Sequence, residues 1–203
     1  MLPIVMCGIP RSGSTLVWQI FREVLKQDFV RIHPAAKDWE PSGDDVIVMT
    51  VRDPRDVANS LFRVRISRGG EDVGGETGLD IVLNRTRRHF ITAKKLLSKP
   101  FPIFVLRYED FLDNYNCVYR TIEVVSGTVV PEEVRRRTNV KYSLTANRIR
   151  ASRLSNFNEI GEDGIHGDHI GDVCSGSWKK LPPWAQKKVA SFCYPLCKEW
   201  FYV

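Results

Sequence analysis

The sequence contains no run of about 18 or more apolar residues, so no segment is expected to span a membrane as a helix. The five cysteines are odd in number. Cys7, Cys117 and Cys174 have no suggestive spacing, while Cys193 and Cys197 lie one helical turn apart on a face expected to be buried. Reduced core thiols in a cytoplasmic protein are expected in preference to a disulfide framework or a zinc site. The histidines and cysteines lack the spacing of metal ligands, so no metal is expected. Internal repeats, low-complexity tracts and a signal-peptide pattern are also missing. One stretch lacks charge of one sign. Between Arg135 and Arg153 there is no acidic residue but seven basic ones: Arg135, Arg136, Arg137, Lys141, Arg148, Arg150 and Arg153. Against a net charge of +6, this run reads either as a solvated basic face or as an anion-binding segment. No nucleic-acid module accompanies it, so nucleic acid is not an expected partner.

What is present is an alternation of short apolar runs with amphipathic stretches. Leu2–Cys7, Phe29–Ile32, Val46–Val51 and Pro102–Leu106 read as buried strands. Helices are expected over 13–26, with Leu16, Val17, Ile20, Phe21, Val24 and Leu25 on one face, and over 54–67, where Asp53-Pro54 supplies a cap and a first-turn proline. Further helices are expected over 77–97, 109–126, 132–137 and from Pro183, whereas Tyr142–Gly171 has no period. Strands alternating with helices predict a single α/β domain over residues 1–203, a three-layer α/β/α sandwich around a mostly parallel sheet. Ligands of such folds gather at the carboxyl ends of the strands, where Gly8, His33, Arg52 and Arg107 all fall.

The first of these strands runs into Gly8-Ile9-Pro10-Arg11-Ser12-Gly13-Ser14-Thr15. Gly8, Gly13 and Thr15 match a nucleotide phosphate loop, but Ser14 stands where that motif has lysine, and the nearest cation is Arg11. The backbone can still wrap an anion at a helix N-terminus. Without the lysine, and with Arg52 ahead of Asp53 at the end of the third strand, a magnesium-dependent kinase or NTPase is disfavoured.

Four segments together resemble the sulfotransferases that use 3′-phosphoadenosine 5′-phosphosulfate (PAPS). Pro10-Arg11-Ser12-Gly13-Ser14-Thr15 is similar to the family's 5′-phosphosulfate loop. Val51-Arg52-Asp53-Pro54-Arg55-Asp56 with Ser60 resembles its 3′-phosphate motif, an arginine followed eight residues later by a serine. Arg107-Tyr108-Glu109-Asp110 resembles the segment beside the adenosine, and His169-Ile170-Gly171 with Gly176-Ser177-Trp178-Lys179 resembles the segment that closes over the cofactor.

The resemblance implies PAPS as donor and 3′-phosphoadenosine 5′-phosphate (PAP) as product, with a P-loop-like turn and no metal. Arg11 would stabilise the leaving group; the family often has lysine there, and arginine cannot give up a proton. The N–H groups of Ser12 to Thr15 and the Ser14 and Thr15 hydroxyls would hold the 5′ end. Arg52 and Ser60 would hold the 3′-phosphate, with Tyr108, Gly176, Trp178 and Lys179 around the nucleotide. Arg55 reads as a structural helix residue. His33, in Arg31-Ile32-His33, is the candidate base, with Glu40, Glu71 and Glu76 as alternatives. The glycine-rich stretch 69–78 would form an acceptor lid. The acceptor would be a small metabolite, carbohydrate or lipid head group bearing a hydroxyl, or an amine, and a tyrosine-bearing peptide is also compatible. A nucleotide-binding module without catalysis remains the other open reading.

Overall fold

The structure, a computed structural model, describes residues 3–36, 39–69, 74–156, 158–167, 170 and 174–203. Four strands, β1 (Ile4–Gly8), β2 (Val30–Ile32), β3 (Val46–Val51) and β4 (Ile103–Arg107), form one sheet in the order β2-β1-β3-β4. Every pairing is parallel. β1 and β3 are buried at every position, and apolar but for Gly8 and Thr50 at their ends, because both faces of the sheet are covered. Ile47, Met49 and Val51 of β3 point into one hydrophobic cluster, Val46 and Val48 into the other.

One layer contains α2 (Pro54–Ser67), α3 (Glu76–Leu97) and α8 (Pro183–Glu199). The other contains α1 (Ser14–Leu25), α4 (Tyr108–Phe111) and α5 (Asn116–Ser126). Outside them lie α6 (Glu132–Lys141) and α7 (Leu144–Ala151). A 3₁₀ turn spans Ser177–Lys180. The three-layer α/β architecture is therefore as expected, and the sheet is parallel throughout. Among the described residues no helix is long and apolar enough to cross a membrane.

Three local expectations change. The single helix over 109–126 is two, because Asn114 Oδ1 accepts from the Asn116 N–H at 2.8 Å and starts α5 afresh. The region after Tyr142 contains α7, capped by Ser143 Oγ accepting from the Ala146 N–H at 3.2 Å. Only Asn147 and Ala151 of this helix are buried, so it carries no apolar period. In α3 the core position is Leu96, while Leu97 is exposed. Cys193 and Cys197 are buried free thiols, as their spacing suggested.

Candidate active site

β1 delivers the loop. Gly8 is obligatory because a Cβ there would lie 2.3 Å from Ser14 Cβ and 2.5 Å from Thr50 Oγ1. Gly13 has φ +78°, and a Cβ would come within 2.8 Å of Tyr108 Cδ2. Arg11 adopts the same left-handed region, φ 68°, without glycine's freedom, a strain of the kind found at functional sites. Ser12 departs from expectation. Its N–H donates to Ile9 O at 3.2 Å and its hydroxyl to the same carbonyl at 2.6 Å, beside Thr50 Oγ1 at 2.6 Å. Ser12 therefore braces the loop instead of presenting donors. The first intrahelical bond of α1 runs from Val17 N to Gly13 O, so the N–H groups of Ser14 and Thr15 have no acceptor within the helix.

β3 delivers Arg52, which is 3% exposed. Its guanidinium donates to Cys174 O at 3.1 Å and Arg11 O at 3.4 Å, lies 4.3 Å over the Tyr108 ring, and faces Asp56 at 4.0 Å. Among the described residues, its buried Nε has no acceptor. Nearly two turns into α2, Ser60 Oγ accepts from Arg11 Nε at 2.8 Å. Burial, and next the charge of Arg52, lower the Arg11 pKa to about 10; Arg11 remains a cation at neutral pH.

Two cavities meet at the loop, and Arg11, Gly13 and Thr15 line both. On one side, Arg52, Ser60, Tyr108, Leu16, Tyr142 and Ile165 enclose a largely apolar slot. On the other, a space of about 330 Å³ is bounded by Ser14, Arg31, His33, Arg68, Arg85 and His166. β2 ends at Ile32 and is followed by His33, whose Nδ1 lies 2.7 Å from Gly8 O. A carbonyl only accepts, so Nδ1 holds the hydrogen and the neutral ring leaves Nε2 as an acceptor. Burial lowers the His33 pKa; the Gly8 bond opposes this, and Arg31 and Arg85 lower it further. The His89 ring stands edge-on at 6.0 Å, its own pKa pushed to about 4 by burial and then by His33.

Other candidates fall elsewhere. Gly176 and Trp178 donate their N–H groups to Asp56, at 2.8 and 3.0 Å, and Ser177 Oγ donates to it at 2.9 Å. This anchors the turn on α2, so Trp178 packs against the core under Arg55, and neither Trp178 nor Lys179 lines either cavity. Of the described residues in this segment, Ile170 lines the Arg52 slot and Cys174 O accepts from the Arg52 guanidinium, whereas the Gly176–Lys179 turn lines neither cavity. Arg107 leaves the rim for the carbonyls of Trp200 and Phe201 and stacks on Tyr202. Arg55 clamps Asp53, which caps α2. Glu40 lines neither cavity, nor does Glu76, which pairs with Lys188 at 3.7 Å. Glu71, His169, Gly171 and part of the glycine-rich stretch lie outside the described residues. The basic run is largely neutralised by pairs: Arg135 with Glu123, Arg136 with Glu133, Arg137 and Lys141 with Glu23, and Arg150 with Asp163. It reads as a structural face.

Sequence reasoning missed Asp56, buried and accepting three bonds, and Glu109, whose carboxylate accepts from the Asp53 N–H at 3.0 Å and the Tyr202 hydroxyl at 3.2 Å. Both sit inside motifs already noticed, yet their partners are 121 and 93 residues away.

This architecture is the sulfotransferase fold. Its solved representatives include retinol dehydratase in complex with androsterone and inactive cofactor PAP. That structure is 15% identical, with a TM-score of 0.72, over 97% of this chain and 80% of the other. Mouse sulfotransferase SULT7A1 complexed with PAP is 13% identical, with a TM-score of 0.64, over 94% and 82%. No family model matches the sequence, and no curated protein does.

Proposed function

We propose that the protein is a PAPS-dependent sulfotransferase acting on a small hydroxyl-bearing acceptor. The observation that carries this reading is Arg52: a buried guanidinium whose Nε lacks an acceptor among the described residues, facing the same slot as Ser60. An anion with several acceptor oxygens suits that fork. The fold shared with two PAP complexes supports the same ligand.

PAPS, when bound, supplies the sulfuryl group: its sulfur bonds to the acceptor oxygen while the bridge oxygen keeps the electron pair of the broken bond and leaves with PAP. Arg52 and Ser60 hold the 3′-phosphate, and Tyr108 supports Arg52 from below. The N–H groups of Ser14 and Thr15, with their hydroxyls, hold the 5′ end. Arg11 stabilises the charge on the leaving oxygen without donating a proton. His33 Nε2 takes the proton of the acceptor hydroxyl, and its Nδ1–H stays on Gly8 O. Orientation and charge carry most of the effect, as in phosphoryl transfer.

A kinase or NTPase reading loses support from Asp53. Its carboxylate caps α2 and pairs with Arg55 at 2.6 Å, where a nucleotide hydrolase needs an acid for magnesium. The test is a thermal-shift and calorimetric titration with PAP beside ATP plus magnesium, followed by PAPS turnover. Selective stabilisation by PAP with turnover is expected. A response to ATP alone would overturn the assignment, and PAP binding without turnover of any acceptor would leave a binding module.

A further inference from the structure

α3 places a second histidine behind the candidate base. The buried face of this helix carries Leu79, Val82, Leu83, Phe90 and Ala93, and that spacing asks for an apolar residue at position 89. Histidine stands there instead, 7% exposed. Among the described residues its buried Nδ1 has no hydrogen-bond partner, and an unpaired buried polar atom costs stability. Leucine or phenylalanine would fill the place without that cost. What sets His89 apart is its neighbour: its ring stands edge-on to His33, with centroids 6.0 Å apart and planes at 75°.

His33 needs what such a neighbour offers. Among the described residues its hydrogen bond is to Gly8 O, through Nδ1, and no carboxylate lines the cavity that it faces. The base therefore lacks the acid that orients the histidine of a hydrolase triad and stabilises its imidazolium. Burial opposes its protonation, and so do Arg31 on β2 and Arg85 on α3; Arg11, Arg68 and His166 also stand on the cavity wall. Burial first, and then His33, Arg85 and Arg88, keep His89 itself uncharged. We infer that His89 is a positioning residue for His33: its ring walls the base into the rotamer that keeps Nδ1–H on Gly8 O, and its neutral, polar imidazole stabilises the imidazolium formed during transfer. This rests on the sulfotransferase reading above. The acceptor proton still passes to His33 Nε2, and His89 takes none. A neutral ring suits the place, because a carboxylate there would hold His33 protonated before any acceptor arrived.

The experiment compares His89→Leu, apolar and close in volume, with His89→Gln, which keeps a neutral polar group. The His33 pKa is read by NMR from a pH titration of isotope-labelled histidine rings in the ligand-free protein, with His33→Gln assigning the signal. Turnover is measured with PAPS and 4-nitrophenol as probe acceptor, and stability by thermal melts. For His89→Leu the expected result is a melting temperature no lower than the parent's, a His33 pKa shifted down, and kcat about tenfold lower with KM and PAP affinity unchanged. The acid limb of kcat/KM should move down in pH with that pKa. His89→Gln should bring kcat back to within about threefold of the parent. An unmoved His33 pKa in folded His89→Leu, an unchanged kcat, or a His89→Gln protein as slow as His89→Leu overturns the inference and returns His89 to a packing role. The titration needs no donor, so the two readings separate. Absence of both PAP binding and PAPS turnover in the parent sinks the sulfotransferase assignment, while the His33 pKa in His89→Leu still decides whether the two histidines are coupled.

Discussion

Replacing Asp56 by asparagine removes one charge and changes almost nothing in shape. The carboxylate is fully buried and accepts from Gly176 N and Ser177 Oγ and from Trp178 N, with Arg52 at 4.0 Å. An asparagine oxygen in the place of Oδ1 keeps two of the three bonds in neutral form. The amide NH₂ then meets the Gly176 N–H donor to donor. One hydrogen bond to a charged group is worth about 1.5–3 kcal/mol, and an unsatisfied buried N–H costs about 1–3 kcal/mol. Breaking a buried pair with Arg52 adds to this, so the expected loss is about 3–5 kcal/mol of unfolding free energy. Urea melts with unchanged slope measure it, and amide exchange at Gly176 and Trp178 localises it. A loss below about 1 kcal/mol, or unchanged exchange at those amides, would refute the argument that Asp56 anchors the turn.

Arg52→Ala should weaken PAP binding more than about tenfold by calorimetry, since a charge-assisted contact is lost; unchanged affinity removes the 3′-phosphate assignment. His33→Ala should retain PAP binding and lose turnover. Because the His33 pKa lies below its ordinary value of 6.5, the ring is already neutral at pH 7, and the acid limb of the kcat/KM profile should fall below that value. Arg85→Gln removes a charge that disfavours the imidazolium, so this limb should move to higher pH. Gly13→Ala forces a Cβ toward Tyr108 and Phe111 at φ +78° and should cost about 1–3 kcal/mol, read from urea melts. Burial raises the Glu23 pKa, but bonds from Lys141 and Lys26 outweigh it and bring it to about 2. The stability advantage over Glu23→Gln should be complete above pH 4.5 and disappear as the pH falls toward 2; an advantage independent of pH contradicts the pairing.

Strands and their order along the chain were legible because β1 and β3 are buried on both faces and read as uninterrupted apolar runs. The loop and the Arg52–Ser60 pair were legible because each lies within one turn or one strand-to-helix junction, where spacing fixes geometry. α7 was not, since its stability comes from the Ser143 cap and a buried Asn147, not from a stripe. Trp178 was misread for a related reason. Its environment is set by Asp56 across more than a hundred residues, and nothing local to Gly-Ser-Trp-Lys reports that. Arg107 likewise ends a strand at the rim, yet its side chain follows the carbonyls of Trp200 and Phe201.

Arg52 touches two parts of the molecule at once, the Cys174 carbonyl and the slot beneath Ser60. A ligand that draws on this guanidinium and the segment that leans on it are therefore thermodynamically linked, and linkage is reciprocal. If nucleotide binding favours docking of Cys174 and the turn behind it by some factor, docking favours nucleotide binding by the same factor. Substitutions near Cys174, remote from any phosphate, would then appear as changes in nucleotide affinity, and exchange rates at Gly176 would report cofactor occupancy from outside the pocket.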